Sequence, residues 1–335
     1  MKLAVTCSTE LIIYDVLEGL EVCSIEHPDH LINDFDYSVK NNFLATACQG
    51  GAYLWNLETK EIFQTAKHSD VRKVLLTDDY FISAGEGRDH KVTLVRLMGG
   101  EGIVIPHQQM VTTISILDNG YLLASGSDDG IVKITDLNDG SLLTTIKCNA
   151  PIRDVCMITN ELVGIFTYSS TYQIWNIKEK GKKYELQFGR VNSLRYSACK
   201  KYFSVALPNG IVEVRTVKNG KVSKIFELVK VEKEFDNGPG LVLTTGAVDA
   251  QFNFNSDILV TSCMDKNIRL FSLDSGEQIQ KLPMLPGEFA CHPQKNSYAA
   301  ANGTNIDIVN MVPNFLETQQ RISVREFVSG KMAFI

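Results

Sequence analysis

Leu122–Leu137 reads LLASGSDDGIVKITDL, and the reading of this stretch decides the fold class. Two short runs rich in apolar and small residues flank Asp128-Asp129-Gly130, a tight-turn signal between antiparallel strands. Asp136 ends the second run, and Asn138-Asp139-Gly140 opens another turn directly after it. The same order recurs along the chain in eight segments: ELIIYDVLEG, GAYLWNLETK, KVTLVRLMGG, GIVKITDLNDG, TYQIWNIKEKG, GIVEVRTVKNG, NIRLFSLDSG and NIDIVNMVP. Anchored on the polar residue that follows each strand core, they fall at Asp15, Asn56, Arg96, Asp136, Asn176, Thr216, Ser272 and Asn310. The steps are 41, 40, 40, 40, 40, 56 and 38 residues, a period that makes the chain a repeat protein.

Between the anchors the text is strand and turn throughout. Leu75–Ser83 is representative, with an apolar stretch, a Thr-Asp-Asp turn and then Tyr-Phe-Ile-Ser. Short runs of Val, Ile, Tyr and Phe bounded by Asn-Gly or Asp-Gly read as antiparallel strands, and no amphipathic helix stands out. Four strands in about 40 residues describe one propeller blade, an arrangement that leaves few exposed sheet edges. The reading is all-β: a β-propeller occupying residues 1–335 as a single domain, with eight blades favoured over seven and a C-terminal appendage. One period beyond Asn310 maps residue 335 to just before Met1, so the two termini share a blade. Ile322–Val328 (ISVREFV) is expected to supply the first strand of that blade and residues 2–26 the other three.

The residues of these repeats resemble the WD40 family. LLASGSDDGIVKITDL is the clearest match and VTSCMDKNIRLFSL (Val260–Leu273) follows it. Trp55-Asn56 and Trp175-Asn176 stand where the family places its Trp-Asp pair, Asp129 and Asp265 match its tight-turn aspartate, and His68 its strand-edge histidine. With two tryptophans and no Gly-His pair, the family's Ser/Thr-His-Asp-Trp hydrogen-bond network is expected to be incomplete in most blades. Resemblance also implies that the loops before each first strand, and those between second and third strands, form the binding face called the top.

Three features bear on that face and its opposite. Asn33, Arg72, Thr112, Arg153 and Asn192 each follow the opening apolar residue of a first strand, at steps of 39, 40, 41 and 39, and the resemblance implies that they line the top. Arg72 and Arg153 could each grip a carboxylate or phosphate through a bidentate fork, or pair with Asp70 and Asp154 instead. The 56-residue step holds an insertion at about 230–246 in which Glu232, Phe235, Leu241 and Leu243 could form a projecting docking element, or fold back on their own blade. Lys180, Lys182, Lys183, Lys200, Lys201, Lys218 and Lys221 lie in turns of adjacent blades on the opposite side. They could attract an acidic partner or RNA, though solvation of edge turns is the commoner role of such lysines.

Composition limits the function classes. The 335 residues are 44% hydrophobic and 21% charged with a net charge of -6, ordinary values for a globular protein and a weak argument against one built around nucleic acid. Cys7, Cys23, Cys48, Cys148, Cys156, Cys199, Cys263 and Cys291 show no metal-ligand or redox spacing and read as core thiols of a reducing compartment. The N-terminus lacks the apolar run of a secretory signal, and no stretch is long enough to span a membrane. His27 and His30 lack a third ligand, Gly85-Glu86-Gly87 is a lone glycine turn, and no nucleophile elbow or paired-carboxylate motif is present. The expectation is therefore a protein without catalytic activity, cofactor or metal, and an intracellular, cytoplasmic location, with cytoskeletal or nuclear placement left open. Its partners would be proteins or peptides of a multisubunit complex.

Val191–Val214 (VNSLRYSACKKYFSVALPNGIVEV) and Asn41–Cys48 (NNFLATAC) are similar to the WD-repeat adaptors that target the gamma-tubulin ring complex, which implies a role in microtubule nucleation at centrosomes. The alternatives are a ribosome-biogenesis or RNP subunit touching RNA through the lysines, and a substrate receptor of a ubiquitin ligase.

Overall fold

A computed structural model describes residues 2–7, 9–27, 31–38, 40–66, 70–85, 89–99, 101–117, 120–228, 246–283, 289–302, 305–311, 318–323 and 331–334. The polar anchors explain why the chain turns where it does, because every one of the eight is the last residue of a strand. Asp15 Oδ1 accepts the Leu17 and Glu18 amides at 2.7 and 3.2 Å, Asn56 Oδ1 the Glu58 amide at 2.8 Å and Asp136 Oδ1 the Asn138 amide at 2.9 Å. Asn176 and Ser272 cap their turns likewise, through the amides of Glu179 and Ser275. Four residues on, Gly19, Lys60, Gly140, Gly220 and Gly276 adopt positive φ of 61–80° and return their amides to the anchor carbonyls at 2.8–2.9 Å. A short polar side chain and a residue tolerant of left-handed backbone are what this hairpin requires. The backbone hydrogen bonds to Asp15 hold its carboxyl below the usual carboxylate range.

These hairpins join the strands into eight antiparallel four-stranded sheets, the blades. Blade 1 contains Lys2–Cys7, Glu10–Asp15 and Glu21–Glu26; blade 2 Ile32–Ser38, Phe43–Cys48, Gly51–Asn56 and Glu61–Ala66. Blade 3 runs Val71–Leu76, Tyr80–Gly85, Lys91–Arg96 and Ile103–Pro106; blade 4 Val111–Ile116, Leu122–Ser127, Ile131–Asp136 and Leu142–Lys147. Blade 5 is Ile152–Thr159, Leu162–Thr167, Thr171–Asn176 and Gly181–Gln187; blade 6 Ser193–Tyr196, Tyr202–Ala206, Ile211–Thr216 and Val222–Glu227. Blade 7 comprises Ala247–Phe252, Ile258–Cys263, Asn267–Ser272 and Gln278–Pro283; blade 8 Phe289–Cys291, Ser297–Asn302, Asn305–Asn310 and Thr318–Ser323. The expected all-β class and the count of eight are both met, and the described residues hold no helix long and apolar enough to cross a membrane.

Met332–Phe334 completes blade 1 by pairing beside Lys2–Cys7. The termini do share a blade, but the strand is not the expected one. Ile322 and Ser323 belong instead to the fourth strand of blade 8, where they pair with Ile306 and Asn305. Blade 8 needs a fourth strand of its own, and Thr318–Ser323 lies next along the chain after Asn310. The rest of the ISVREFV run lies outside the described residues.

Two compact units can be distinguished: Val5–Ile13 with Val22–Phe188, and Met1–Ala4 with Tyr14–Glu21 and Gly189–Phe334. In the former, apolar layers lie between consecutive blades. Ile82, Val92 and Leu94 of blade 3 pack with Val111, Ile114 and Leu123 of blade 4, and Val132 and Ile134 of blade 4 with Val155 and Ile165 of blade 5. In the latter, Val212, Val214 and Phe226 of blade 6 meet Ala250, Phe252 and Phe271 of blade 7. Alternation in the second strands supplies one layer to each neighbour, so both their faces are buried and they read as nearly continuous apolar runs, while the fourth strands stay largely exposed.

Candidate interaction surface

The equivalent positions Asn33, Arg72, Thr112 and Arg153 share a backbone peculiarity that the spacing does not reveal. Each is the extra residue of a β-bulge, because register slips between Ile32 and Asp34, Val71 and Lys73, Val111 and Thr113, and Ile152 and Asp154. Val248 occupies the same bulge in blade 7, between Ala247 and Asp249, and sequence reasoning missed it for want of a polar side chain. A bulge leaves its residue out of the ladder and re-aims the side chain, which suits a strand end that must do something other than pair.

What these side chains do divides them. Asn33 Nδ2 donates to the Val71 carbonyl at 2.9 Å, Thr112 Oγ1 to the Ile152 carbonyl at 2.7 Å and Asn192 Nδ2 to the Ala247 carbonyl at 2.7 Å. In each case the acceptor is the residue just before the bulge of the next blade, so these three side chains staple consecutive first strands. Arg72 and Arg153 sit at the next bulges along. Arg72 is exposed, and the Arg153 guanidinium lies 5.2 Å from the centre of the buried Phe166 ring. The staples are reinforced lower on the strands: Leu76 N donates to Asp36, Thr113 Oγ1 to Asp154 and Arg195 to Asp249. Burial opposes ionisation of Asp249, but the Arg195 charge and hydrogen bonds outweigh it and hold the carboxyl below its ordinary range.

Glu232, Phe235, Leu241 and Leu243 lie outside the described residues, as does His68. The described edges of the insertion are anchored, Leu228 N on the Gly210 carbonyl at 2.9 Å and Met264 N on the Gly246 carbonyl at 3.0 Å. The lysines are distributed over three turns. Lys180, Lys182 and Lys183 are exposed around the last hairpin of blade 5, with Lys182 paired to Glu185. In blade 6, Lys200 lies 5.9 Å from the Tyr196 ring centre, while Lys201, Lys218 and Lys221 are exposed on two turns joined by the 2.9 Å bond from Val217 N to the Lys201 carbonyl. Among the described residues no cluster of His, Cys, Asp and Glu is arranged to hold a metal ion.

The buried polar networks carry the remaining information. In blade 2, Thr46 Oγ1 accepts from Trp55 Nε1 at 2.9 Å and lies 2.8 Å from His27 Nε2. His27 therefore has a structural partner set that its sequence neighbourhood with His30 did not suggest. In blade 4, His107 Nε2 lies 2.8 Å from Ser125 Oγ, and Asp129 accepts the Gln108 and Ile131 amides at 3.0 and 2.8 Å. Thr135 stands where blade 2 has Trp55. Blade 5 keeps a tryptophan, but Trp175 Nε1 donates to Gln173 at 2.7 Å, and blade 7 has instead the pair of buried Arg269 with half-buried Asp265. Burial would raise the Asp265 carboxyl, but hydrogen bonds from Arg269 and Asn267 hold it down.

Histidine ahead of the first strand, hydroxyl on the second, tryptophan on the third and aspartate in the turn between them form a set, of which blade 2 keeps the first three and blade 4 the histidine, hydroxyl and aspartate. The family described as WD40, WD domain, G-beta repeat, matches residues 102–136 and 241–272. Two stretches of the chain thus match WD40 repeats, and its eight four-stranded sheets are the blades of a β-propeller. Each matched WD40 repeat ends with the third strand of a blade, in register with the anchors. The chain is 27% identical to the WD repeat-containing protein 91 homolog of Dictyostelium discoideum over 199 residues, 56% of the chain and 24% of that protein. It is 30% identical to the small ribosomal subunit protein RACK1 of Brassica napus over 74 residues, 22% of the chain and 23% of that protein. With mitogen-activated protein kinase-binding protein 1 of Mus musculus it shares 22% identity over 260 residues, 74% of the chain and 17% of the relative. The matched regions thus span about a quarter or less of these relatives' own lengths.

Proposed function

We propose that this WD40 propeller is a non-catalytic, cytoplasmic adaptor that holds a protein or peptide partner of a multisubunit complex at the bulged ends of its first strands. The bulges at Arg72 and Arg153 carry the reading: they hold two guanidinium groups, each of a kind suited to a carboxylate or phosphate, at equivalent ends of two first strands. The name of the kinase-binding relative agrees with such a role. The insertion at 230–246 extends the same contact, and the similarity of Val191–Val214 and Asn41–Cys48 to gamma-tubulin complex adaptors directs the narrower reading toward microtubule nucleation.

Affinity purification with mass spectrometry tests this on the wild type, an Arg72→Ala/Arg153→Ala variant and a Gly-Ser replacement of residues 232–245, all first confirmed folded. Loss of a discrete set of proteins from either variant supports the adaptor reading, and gamma-tubulin components among them support the narrower one. Partners that survive both changes but vanish with added salt or nuclease move the function to the exposed lysine turns of blade 6, because phosphate contacts release counterions.

A further inference from the structure

Between blades 3 and 4 the structure brings exposed apolar side chains and acids together on one corner, away from the bulges. Met98, at the tip of the last hairpin of blade 3, is 89% exposed, and Tyr121 in the first hairpin of blade 4 is 53% exposed. Hydrogen bonds weld the two onto one surface. Leu97 N bonds to the Asp79 carbonyl at 2.9 Å, Tyr80 Oη donates to the Leu137 carbonyl at 3.0 Å, and Leu137 N bonds to the Tyr121 carbonyl at 2.8 Å. Gly140 of the adjoining turn closes on Ile103, so blade 4 is seated firmly against blade 3. Asp79, Glu101 and Asp139 are exposed around these residues. The nearby cation Arg96 lies 5.2 Å from the Tyr80 ring centre, and Lys40 is paired with Asp78.

A flexible thioether and an amphipathic ring on a rigid mount, rimmed by carboxylates, form a site for an apolar surface that carries positive charge. We infer that this corner docks a basic amphipathic segment of a partner protein, with its apolar side on Met98 and Tyr121 and its Lys or Arg residues against Asp79, Glu101 and Asp139. A second copy of the chain using the same corner would set these acids against themselves, and nucleic acid would meet the same repulsion. The inference is independent of the arginine bulges.

The probe is a fluorescent peptide of about four helical turns with Leu on one face and Lys on the other, titrated beside its Leu/Glu counterpart. One-to-one saturable binding of the Leu/Lys peptide is expected, weakened on the order of tenfold by Met98→Ser/Tyr121→Ser and left unchanged by Arg72→Ala/Arg153→Ala. Asp79→Asn/Asp139→Asn should weaken binding and flatten its salt dependence. Unchanged thermal midpoints verify that the variants fold. Equal binding to the apolar variant, equal binding of the Leu/Glu peptide, or a loss confined to the charge variant would overturn the inference, the last by reducing it to attraction between net charges.

Discussion

His107 makes blade 4 sensitive to mild acid. Its imidazole is fully covered, and burial drives its pKa down to about 4 despite the opposing pull of Asp129. An unfolded histidine titrates near ~6.5, so between these values the unfolded chain binds a proton that the folded chain refuses. The stabilisation is therefore complete above the unfolded value and is lost as pH falls toward the folded one. Linkage through such a pair of pKa values gives a loss of about 2 kcal/mol on going from about pH 7 to about pH 5. Urea denaturation of the wild type and a His107→Gln variant at both pH values measures it. Carboxylates and His292 titrate in both proteins, so the difference between the two pH dependences isolates His107. A variant whose stability falls with acid as much as the wild type's would refute the assignment of a neutral, buried imidazole.

Other consequences are equally direct. Thr46→Val strands the Trp55 indole N–H and the His27 ring nitrogen, and should cost about 1–3 kcal/mol with a shift in tryptophan emission. At Gly126 an added Cβ would lie 2.5 Å from Ile152 Cγ2, so Gly126→Ala should destabilise by about 1–3 kcal/mol. An Ile152→Ala background should remove most of that increment in a double-mutant cycle, and strict additivity would contradict the packing between blades 4 and 5. Asp265→Ala leaves Arg269, only 4% exposed, without its carboxylate and should lower stability by about 3 kcal/mol in chemical denaturation, with Arg269→Leu in the same background recovering part of the loss.

The period was legible because its anchors do a local job: Asp15, Asn56 and Asp136 cap turns within their own few residues, so the requirement is written beside them. The five equivalent first-strand positions were legible as spacing, but their division into staples and arginines was not. Asn33 finds its acceptor 38 residues away, in another blade, and only the folded arrangement supplies it. His27 was missed for the same reason, since Thr46 and Trp55 reach it through tertiary structure. The closing strand was misplaced because apolar content favoured ISVREFV, whereas the need of blade 8 for a fourth strand outweighed it. The departures from the Trp-Asp pattern read as losses in the sequence. In blade 7 the structure shows one of them to be a replacement, with an ion pair, Arg269–Asp265, standing for the usual set.

The pairing of Met332–Phe334 with Lys2–Cys7 also sets an order of events during synthesis. Of the strands in these eight blades, those made first belong to the blade that is finished last. At 5–20 residues per second, roughly 15–65 s separate the two halves of that blade, longer than hairpin formation by many orders of magnitude. Throughout that interval the Lys2–Cys7 edge offers unpaired backbone to any passing strand, and a nascent chain that stalls late carries this edge exposed. The vulnerable edge is therefore the one laid down first, and it stays open until Met332–Phe334 has been made.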